Sequence, residues 1–535
     1  MAALSIDEPV AASATRAVRS ARLALAAFVA YVVVAWPVLV FGMGSQRWFR
    51  DDELRIFAGR DGGDIGDIFR AHDVHPIALP VVVFRLMFNV FGLWFTPYLM
   101  LVVTMHLGVA MMLRVVIRRA GVGPWIATAA AGSLVLFGPG EENILWAFQI
   151  TLLSSILLGL TQLVLADHDG PLTRRDALGV IAGVGAVMSS GIGPLMVVAV
   201  GLAALARRGW RIALFHVAPP ALAYVAWTAV EDPAGYAFGR PTLSVVWEWI
   251  RVGQDATVQA VGGTTVVALV LTALLVAGLW QLARSSTIDD LRRRASVPVA
   301  LLACGPVLFA LTAQVRWGFG LEEARASRYV YIGAVLLLPA LALAGDAIAR
   351  RWRSAMVPVV ALLLVSVPGN ISDFNSSTFD ARYFDAQRQT VLGLARTDLA
   401  ERVPRSVRPL HDPFSADEVT IGWLLDLRDE GRLPDAGAID PRVEALFPLR
   451  LGLAQVDGPL VAPCTTRTAP VDLSLNEGDR LAIRTPALIG LLESGAVASR
   501  PMYFGPRDQG TISVELPLSV RISPIKPGAK LTMCR

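Results

Sequence analysis

Charge is scarce in this chain. Only 17% of its 535 residues are charged, 54% are hydrophobic, and the mean hydropathy is +0.54. That balance excludes an ordinary soluble globular protein. Lysine is nearly missing, occurring only as Lys526 and Lys530, so arginine carries the positive charge. Cysteine is rare as well, and Cys304, Cys464 and Cys534 say little about metals. Phosphate-binding loops, serine-nucleophile elbows, zinc motifs and dinucleotide fingerprints are all missing from usable contexts. A cleavable signal peptide is not expected either. The first apolar stretch, about 21–43, is too long and continuous for one and reads as a retained helix.

What the chain does have is recurring runs of roughly 18 or more apolar residues, the signature of membrane-spanning helices. Their flanks set an orientation. Arg16, Arg19 and Arg22 precede the first run, and arginine pairs or triplets follow at 118–119, 174–175, 207–208, 292–294 and 350–353. Placing these on the cytoplasmic side satisfies the positive-inside rule and accounts for the net charge of +4 without a nucleic-acid partner. The expected fold is therefore an α-helical polytopic membrane bundle of about eleven spans. Two of those spans are short and broken at Ser189-Ser-Gly-Ile-Gly-Pro194, and a polar outer loop runs from about 231 to 263. The apolar segment 75–91 holds Pro76, Pro80, Arg85 and Asn89 and reads as a helix lying on the membrane surface.

Past about residue 370 the apolar runs shorten. A helical stretch is expected within 380–430, then an alternating β-rich stretch over 458–535. The division is thus 1–370 for the membrane domain, with a first outer loop at 44–96, and 371–535 for an α+β module. An odd span count puts that module outside, in a multi-pass plasma-membrane protein whose N-terminus is cytoplasmic. Oxidation is permitted there, so Cys464 and Cys534 are a disulfide candidate, two free thiols being the alternative. Cys304, inside an apolar run, reads as a buried small hydrophobe.

Three outer loops carry chemistry. The first holds Arg50-Asp51-Asp52-Glu53, then Asp61, Asp64, Asp67, His72, Asp73 and His75-Pro76. Ionisable residues clustered at a membrane surface mark a functional site by default. Asp51 and Asp52 suit general-base work, and with Glu53 they suit a divalent cation such as magnesium or manganese. A carboxylate cap on a helix start explains them equally in kind. His75 can orient a substrate or bind phosphate, or merely precede a helix whose first turn takes Pro76. In the second loop Glu141, Glu142, Trp146 and Phe148 suit a sugar face, although tryptophan is common at membrane interfaces. In the third, Arg316, Arg325, Arg328 and Tyr329 suit a phosphate or pyrophosphate grip, unless Glu322 and Glu323 take up those guanidinium groups internally.

Asp52-Glu53 just after the first span, a surface segment, and then His75-Pro76 resemble the first extracytoplasmic loop of the membrane-embedded GT-C glycosyltransferases. The likeness in architecture covers the whole chain, while the motif match is confined to that loop and to Arg328-Tyr329. Ile77 stands where a second proline often follows in the family. The resemblance implies transfer of a sugar from a polyprenyl-phosphate carrier to an extracytoplasmic acceptor: an envelope glycan, a lipid or a protein. It puts the catalytic carboxylate at Asp52 or Asp51, and the arginine-rich composition is compatible with an actinobacterial envelope. The competing expectations are a transporter or flippase of polyprenyl-linked glycans, and a non-catalytic envelope glycan-binding membrane protein. A transporter predicts charges at mid-membrane, and here the spans are almost free of them.

Overall fold

A computed structural model describes the chain except residues 1–6, 61, 232–238, 375–380, 412–415, 457–461, 494–495 and 498–500. Asp61 and the side chain of Arg16 therefore lie outside the description. The chain divides into two compact units. The first comprises 1–45, 68–80 and 99–378, the second 46–67, 81–98 and 379–535. The membrane domain read from the sequence thus gives up two pieces of its first outer loop to the unit holding the C-terminal module.

The first unit is helical. Among the described residues eight helices are long and apolar enough to cross a membrane: Ala17–Met43, Phe95–Arg119, Ala147–Ala166, Trp210–Glu231, Thr265–Ser285, Ser296–Phe319, Ser327–Arg351 and Arg353–Asp373. The other three expected spans are also helices but shorter, at 12 residues for Pro124–Val135, 14 for Arg174–Val187 and 16 for Gly193–Arg208. At about 1.5 Å per residue none of these covers a ~30 Å hydrocarbon layer alone. Of the about eleven expected spans, eight are thus long enough by themselves to cross a membrane.

The stretch taken as a polar outer loop holds instead a 20-residue helix, Leu243–Gly262. Glu248, Arg251 and Asp255 disguise it in a hydropathy reading. Trp249, Val252, Gly253, Ala256, Thr257 and Val261 nevertheless recur at helical spacing and are buried. The Trp249 indole donates to Thr312 Oγ1 at 3.1 Å, which ties this helix to Ser296–Arg316.

Ser327–Arg351 is the central post, with 94% of its apolar window buried. Pro124–Val135, Leu243–Gly262, Thr265–Ser285 and Ser296–Arg316 all pack on it. The backbones come close at Gly278, where an added Cβ would sit 2.3 Å from the Ala344 carbonyl oxygen and 2.6 Å from its Cα. Small residues at such crossings let two backbones meet. Gly278→Leu is expected to force these helices apart and to cost at least about 1–3 kcal/mol. Thermal unfolding in detergent checks this against Ala277→Leu on the exposed face, where little change is expected.

The arginine-bearing helix ends are knitted together at one end of the first unit. Arg294 donates to Asp346 Oδ2 at 3.0 Å and to the Ala120 carbonyl at 3.3 Å. Arg350 bonds the same Asp346 oxygen at 2.6 Å, and the Gly123 amide donates to its other oxygen at 2.8 Å. Asp176 accepts from Arg208, from His168 and His216 at 3.0 Å each, and from the Thr173 amide at 2.7 Å. Buried charge survives here because it is fully partnered. Helix direction puts residues 138–149, 188–193, 227–231 and 316–327 at the opposite end.

Among the described residues the second unit contains the Asp51–Gly59 helix, most of Ala78–Phe91, the helices Ala381–Leu394 and Ile421–Asp429, and ten strands. These are β1 (Leu453–Val456), β2 (Cys464–Arg467), β3 (Val471–Leu475), β4 (Arg480–Ile483) and β5 (Ala487–Glu493). After them come β6 (Ala496–Val497), β7 (Met502–Phe504), β8 (Thr511–Val514), β9 (Leu518–Pro524) and β10 (Leu531–Cys534). One sheet runs β1-β8-β4-β10-β2; the other runs β3-β9-β5-β6, with β7 also on β5. Every pairing is antiparallel. Alternate residues of β9 face one core, where Val520 and Ile522 meet Ile483, Ile512 and Val514 from the other sheet. Cys464 and Cys534 stand directly opposite each other in the β2–β10 register and are joined by a disulfide. Cys304 is a free, buried thiol in the first unit.

Candidate functional site

Asp51, Asp52 and Glu53 form the first turn of the Asp51–Gly59 helix, where carboxylates are favoured by the helix dipole. Glu53 is fully buried and accepts the Arg50 amide at 3.1 Å, so its charge is turned back on the helix start. Asp51 and Asp52 stay half-exposed. Aromatic packing fixes the helix: Phe49 meets Phe57, Phe95 and Tyr98 edge-on at 5.0–5.2 Å, and Phe57 stacks on Phe88 at 4.7 Å. Two ties link this segment to the C-terminal module. Arg55 pairs with Glu418 at 3.2 Å, and the Arg432 guanidinium lies 4.3 Å over the Phe88 ring while donating to the Phe88 carbonyl. The doubled acid thus stands on a braced platform within the second unit.

His75 belongs to the first unit. It does not start a helix, because the helix begins at Ala78. His72 and His75 instead exchange both backbone hydrogen bonds at 3.0 Å across a tight turn, with Asp73 at φ 51°. Aspartate tolerates that left-handed geometry better than most residues. Trp227 donates to the Phe69 carbonyl at 2.7 Å, and Glu231 accepts the Ala71 amide at 3.0 Å, which pins the approach to the turn. The His72 ring lies 5.0 Å from Phe148, itself 5.5 Å from Trp146. The His75 ring packs over the helix break at 189–194. A Cβ on Gly191 would be 2.5 Å from His75 Nδ1.

Burial pushes the His75 imidazole down to about 4, helped by the charges of Arg316 and His72 and opposed by Asp73. The folded state therefore holds fewer protons than the unfolded chain between about pH 4 and 6.5. The stability gained by keeping His75 neutral is full above about pH 6.5 and falls away toward pH 4, by at most about 3 kcal/mol. Gly191→Ala is expected to dislodge the ring and move its titration back toward about 6.5. NMR of labelled histidine in nanodiscs reads this directly, and an unmoved titration would mean that Gly191 does not seat the ring.

The second and third loops meet. The Glu142 amide donates to Ser327 Oγ at 3.2 Å, and Arg328 bridges Glu142, at 3.3 Å, and Glu323. The Arg328 guanidinium also lies 5.0 Å over the Tyr329 ring. Internal pairing of Arg328 is thus realised, and it joins two loops as well as one. Glu141 is buried beside Glu142. Arg325 pairs at 3.5 Å with Glu322 on the exposed rim, and Arg316 lies 5.7 Å over Phe319. Within the first unit, then, His72, His75, Glu142, Phe148, Arg316 and Arg328 are brought to one end by three segments distant in sequence.

Sequence reasoning missed Trp227 and Glu231, whose roles are backbone contacts with no local signature. Asn143, which follows Glu141 and Glu142 in the second loop, is fully buried, and neither of its side-chain amide atoms is hydrogen-bonded among the described residues. Among the described residues no group of three or more His, Cys, Asp or Glu is arranged to hold a metal ion. The first unit offers a neutral imidazole, a guanidinium held between acids, and aromatic faces; the second unit, taken by itself, offers two half-exposed carboxylates. No family profile, curated protein or solved structure matches the chain.

Proposed function

We propose that this protein transfers a sugar from a polyprenyl-phosphate carrier to an acceptor hydroxyl outside the plasma membrane, as its resemblance to the GT-C glycosyltransferases implies. Asp51 or Asp52 takes the proton of the acceptor hydroxyl. That oxygen attacks the anomeric carbon, the bond from this carbon to the phosphate oxygen breaks, and polyprenyl phosphate leaves with the electron pair. Arg316 stabilises the charge on the leaving group, joined by Arg325 and Arg328 once they let go of the glutamates that pair with them, Glu322 for Arg325 and Glu142 and Glu323 for Arg328. Preorganised charge of this kind usually contributes more than any other single effect to such catalysis. Trp146 and Phe148 offer flat faces to the sugar, and the carrier's isoprenoid tail stays in lipid.

The observation that carries the reading is the meeting of the His72–His75 turn with the second and third loops at the end opposite the arginine belt. The disulfide adds support for an extracytoplasmic module, because such bonds persist in oxidising compartments. The test supplies membrane vesicles containing the full chain with radiolabelled polyprenyl-phosphate sugars and an envelope acceptor fraction. The expected result is chain-dependent release of polyprenyl phosphate matched by label in the acceptor. Label crossing the bilayer while still attached to its carrier would instead identify a transporter.

A further inference from the structure

One arginine lies inside a long apolar helix with no acid beside it. Arg114 stands five residues short of the end of Phe95–Arg119, about 7 Å in from that end. It is 9% exposed. Its Nε donates to Thr128 Oγ1 at 3.0 Å, and its guanidinium lies 5.5 Å over the Phe28 ring. The two terminal nitrogens have no partner among the described residues, and neither is sealed from the surface. The charge acting on Arg114 is that of Arg118, of the same sign. A half-sealed cation without an acid is costly, and an ionisable group at this depth marks a functional site by default.

The acids at the arginine-bearing end are engaged with other groups. Asp167 and Asp169 face Arg207, Asp176 faces Arg208, and Asp289 faces Arg292. Asp290 lies beside Arg294 and takes the Thr287 hydroxyl, while Asp346 is shared by Arg294, Arg350 and the Gly123 amide. Arg22 and Arg118 pair with no acid among the described residues; Arg118 donates to the Val122 carbonyl.

The surface beside Arg114 is open. Phe28 meets Arg114, and the Trp36 indole donates to Thr104 Oγ1 at 3.0 Å. These contacts run in opposite order along Ala17–Met43 and Phe95–Arg119, so the two helices are antiparallel. Arg22, Leu25, Val29 and Trp36 share one face of the first, and Thr104, Met111, Val115 and Arg118 share one face of the second. Leu25, Val29, Met111 and Val115 are 39–49% exposed, while Phe28 and Arg114 form the covered floor between them. Arg22 and Arg118 each stand fourteen residues from the Trp36–Thr104 bond, about 21 Å along their helices, which brings them to one level. Each stripe is therefore basic at the arginine-bearing end and apolar above it.

A further contact sets the depth. Trp125 is exposed, and its indole donates to Ser20 Oγ at 3.1 Å, one helical turn before Thr128. Amphipathic indoles settle at the membrane–water interface, so the Arg114–Thr128 bond lies within about a turn of the headgroups.

We infer that this furrow seats one anionic phospholipid of the leaflet at the arginine-bearing end. Its phosphate rests on the terminal nitrogens of Arg114, between Arg22 and Arg118, and its acyl chains run along Leu25, Val29, Met111 and Val115. A guanidinium grips phosphate well, and the exposed apolar stripes match a lipid because a free phosphate gains nothing from them. The inference is independent of the transferase reading.

The test uses the full chain in uncharged detergent, titrated with phosphatidylglycerol, phosphatidylcholine or inorganic phosphate. Native mass spectrometry and thermal unfolding provide the readouts. Phosphatidylglycerol is expected to bind and to raise the unfolding temperature, and the other two are not. Arg114→Gln is expected to weaken phosphatidylglycerol binding about tenfold, the loss of one charge-assisted contact. Without lipid it is not expected to lower the unfolding temperature, since the cation it removes leaves no acid stranded. Should that variant fail to fold, Arg22→Gln/Arg118→Gln carries the test from nearer the surface, with a similar loss expected. Arg174→Gln/Arg175→Gln removes two charges from exposed positions at the same end and is expected to change binding less than about twofold. Equal losses in the furrow variants and this control would overturn the site, as would equal binding of phosphatidylcholine or an equal effect of phosphate alone.

Discussion

Replacing Asp51 and Asp52 together by asparagine is expected to lower sugar transfer by about 10²–10⁴-fold while the protein inserts and folds as before. Asparagine keeps the shape of the side chain and its ability to accept hydrogen bonds, so the first turn of the Asp51–Gly59 helix survives. What it loses is the capacity to take a proton. Phe49, Phe57, Phe88 and the Arg55–Glu418 pair brace that helix and are unchanged in the double variant. A loss of activity with unchanged abundance and melting temperature therefore isolates the chemistry. The single variants then divide the two, since the one that reproduces the double loss is the base. Glu53→Gln serves as the contrast. Its oxygen already accepts the Arg50 amide, so its effect falls on stability, with turnover of the folded fraction close to the parent's. Full transfer by the double variant would remove the first-loop carboxylates from the mechanism.

Breaking the disulfide has the largest expected effect on stability. Cys464 and Cys534 are 70 residues apart in sequence, and their Cα atoms are 3.9 Å apart. In the chain-entropy account, closing a loop of that length is worth about 4 kcal/mol. Local structure adds to this. All four residues of β2 are exposed, and β2 is the edge strand next to β10, so it buries almost no apolar surface of its own. Without the covalent tie it frays and uncovers the unpaired side of β10, a ready template for association. Urea titration of the full chain, read by protease resistance of the C-terminal module, is expected to show Cys464→Ser/Cys534→Ser unfolding at markedly lower denaturant. Cys304→Ser tests the opposite case: its sulfur is buried among helices of the first unit, so the module's midpoint should not move. Indistinguishable midpoints for bonded and unbonded chains would put the module's stability in its two-sheet core alone.

The features legible in the sequence are those with a local cause. Apolar runs announced the long helices because twenty or so residues must each avoid water in turn. Arginine pairs announced which helix ends share a face, and the hydrogen bonds of Arg119, Arg207, Arg208, Arg294 and Arg350 join those ends. Alternation announced a β-rich stretch over 458–535, where strands β2 to β10 lie. Features that depend on partners far along the chain were illegible. The Leu243–Gly262 helix was hidden because Glu248, Arg251 and Asp255 on one side outweigh a buried stripe on the other in any averaged hydropathy. Nothing near Arg55 marks Glu418 as its partner, so the first loop's place in the second unit had no local trace. Gly191 lies in the break between two short spans that the sequence showed, but the group packed on it is an imidazole from more than a hundred residues upstream. For the candidate site, residue types were foreseen better than roles. Glu53 and Arg328 are committed to internal partners, whereas His75 owes its position to Trp227, Glu231 and Gly191.

Asp346 carries a consequence for biosynthesis. Its carboxylate is the shared anchor for Gly123, Arg294 and Arg350, and it sits near the end of the most deeply buried helix. A ribosome releases the two earlier partners long before it reaches that residue. Until Ser327–Arg351 arrives, the preceding helices wait in the bilayer around an unfilled centre, with Arg294 and the Gly123 amide lacking their acid. The helices that pack on Ser327–Arg351, namely Pro124–Val135, Leu243–Gly262, Thr265–Ser285 and Ser296–Arg316, therefore close around it late, after the helices between 150 and 231 have found one another. A nascent chain stalled short of Ser327 is the form in which quality-control proteases should find it most vulnerable.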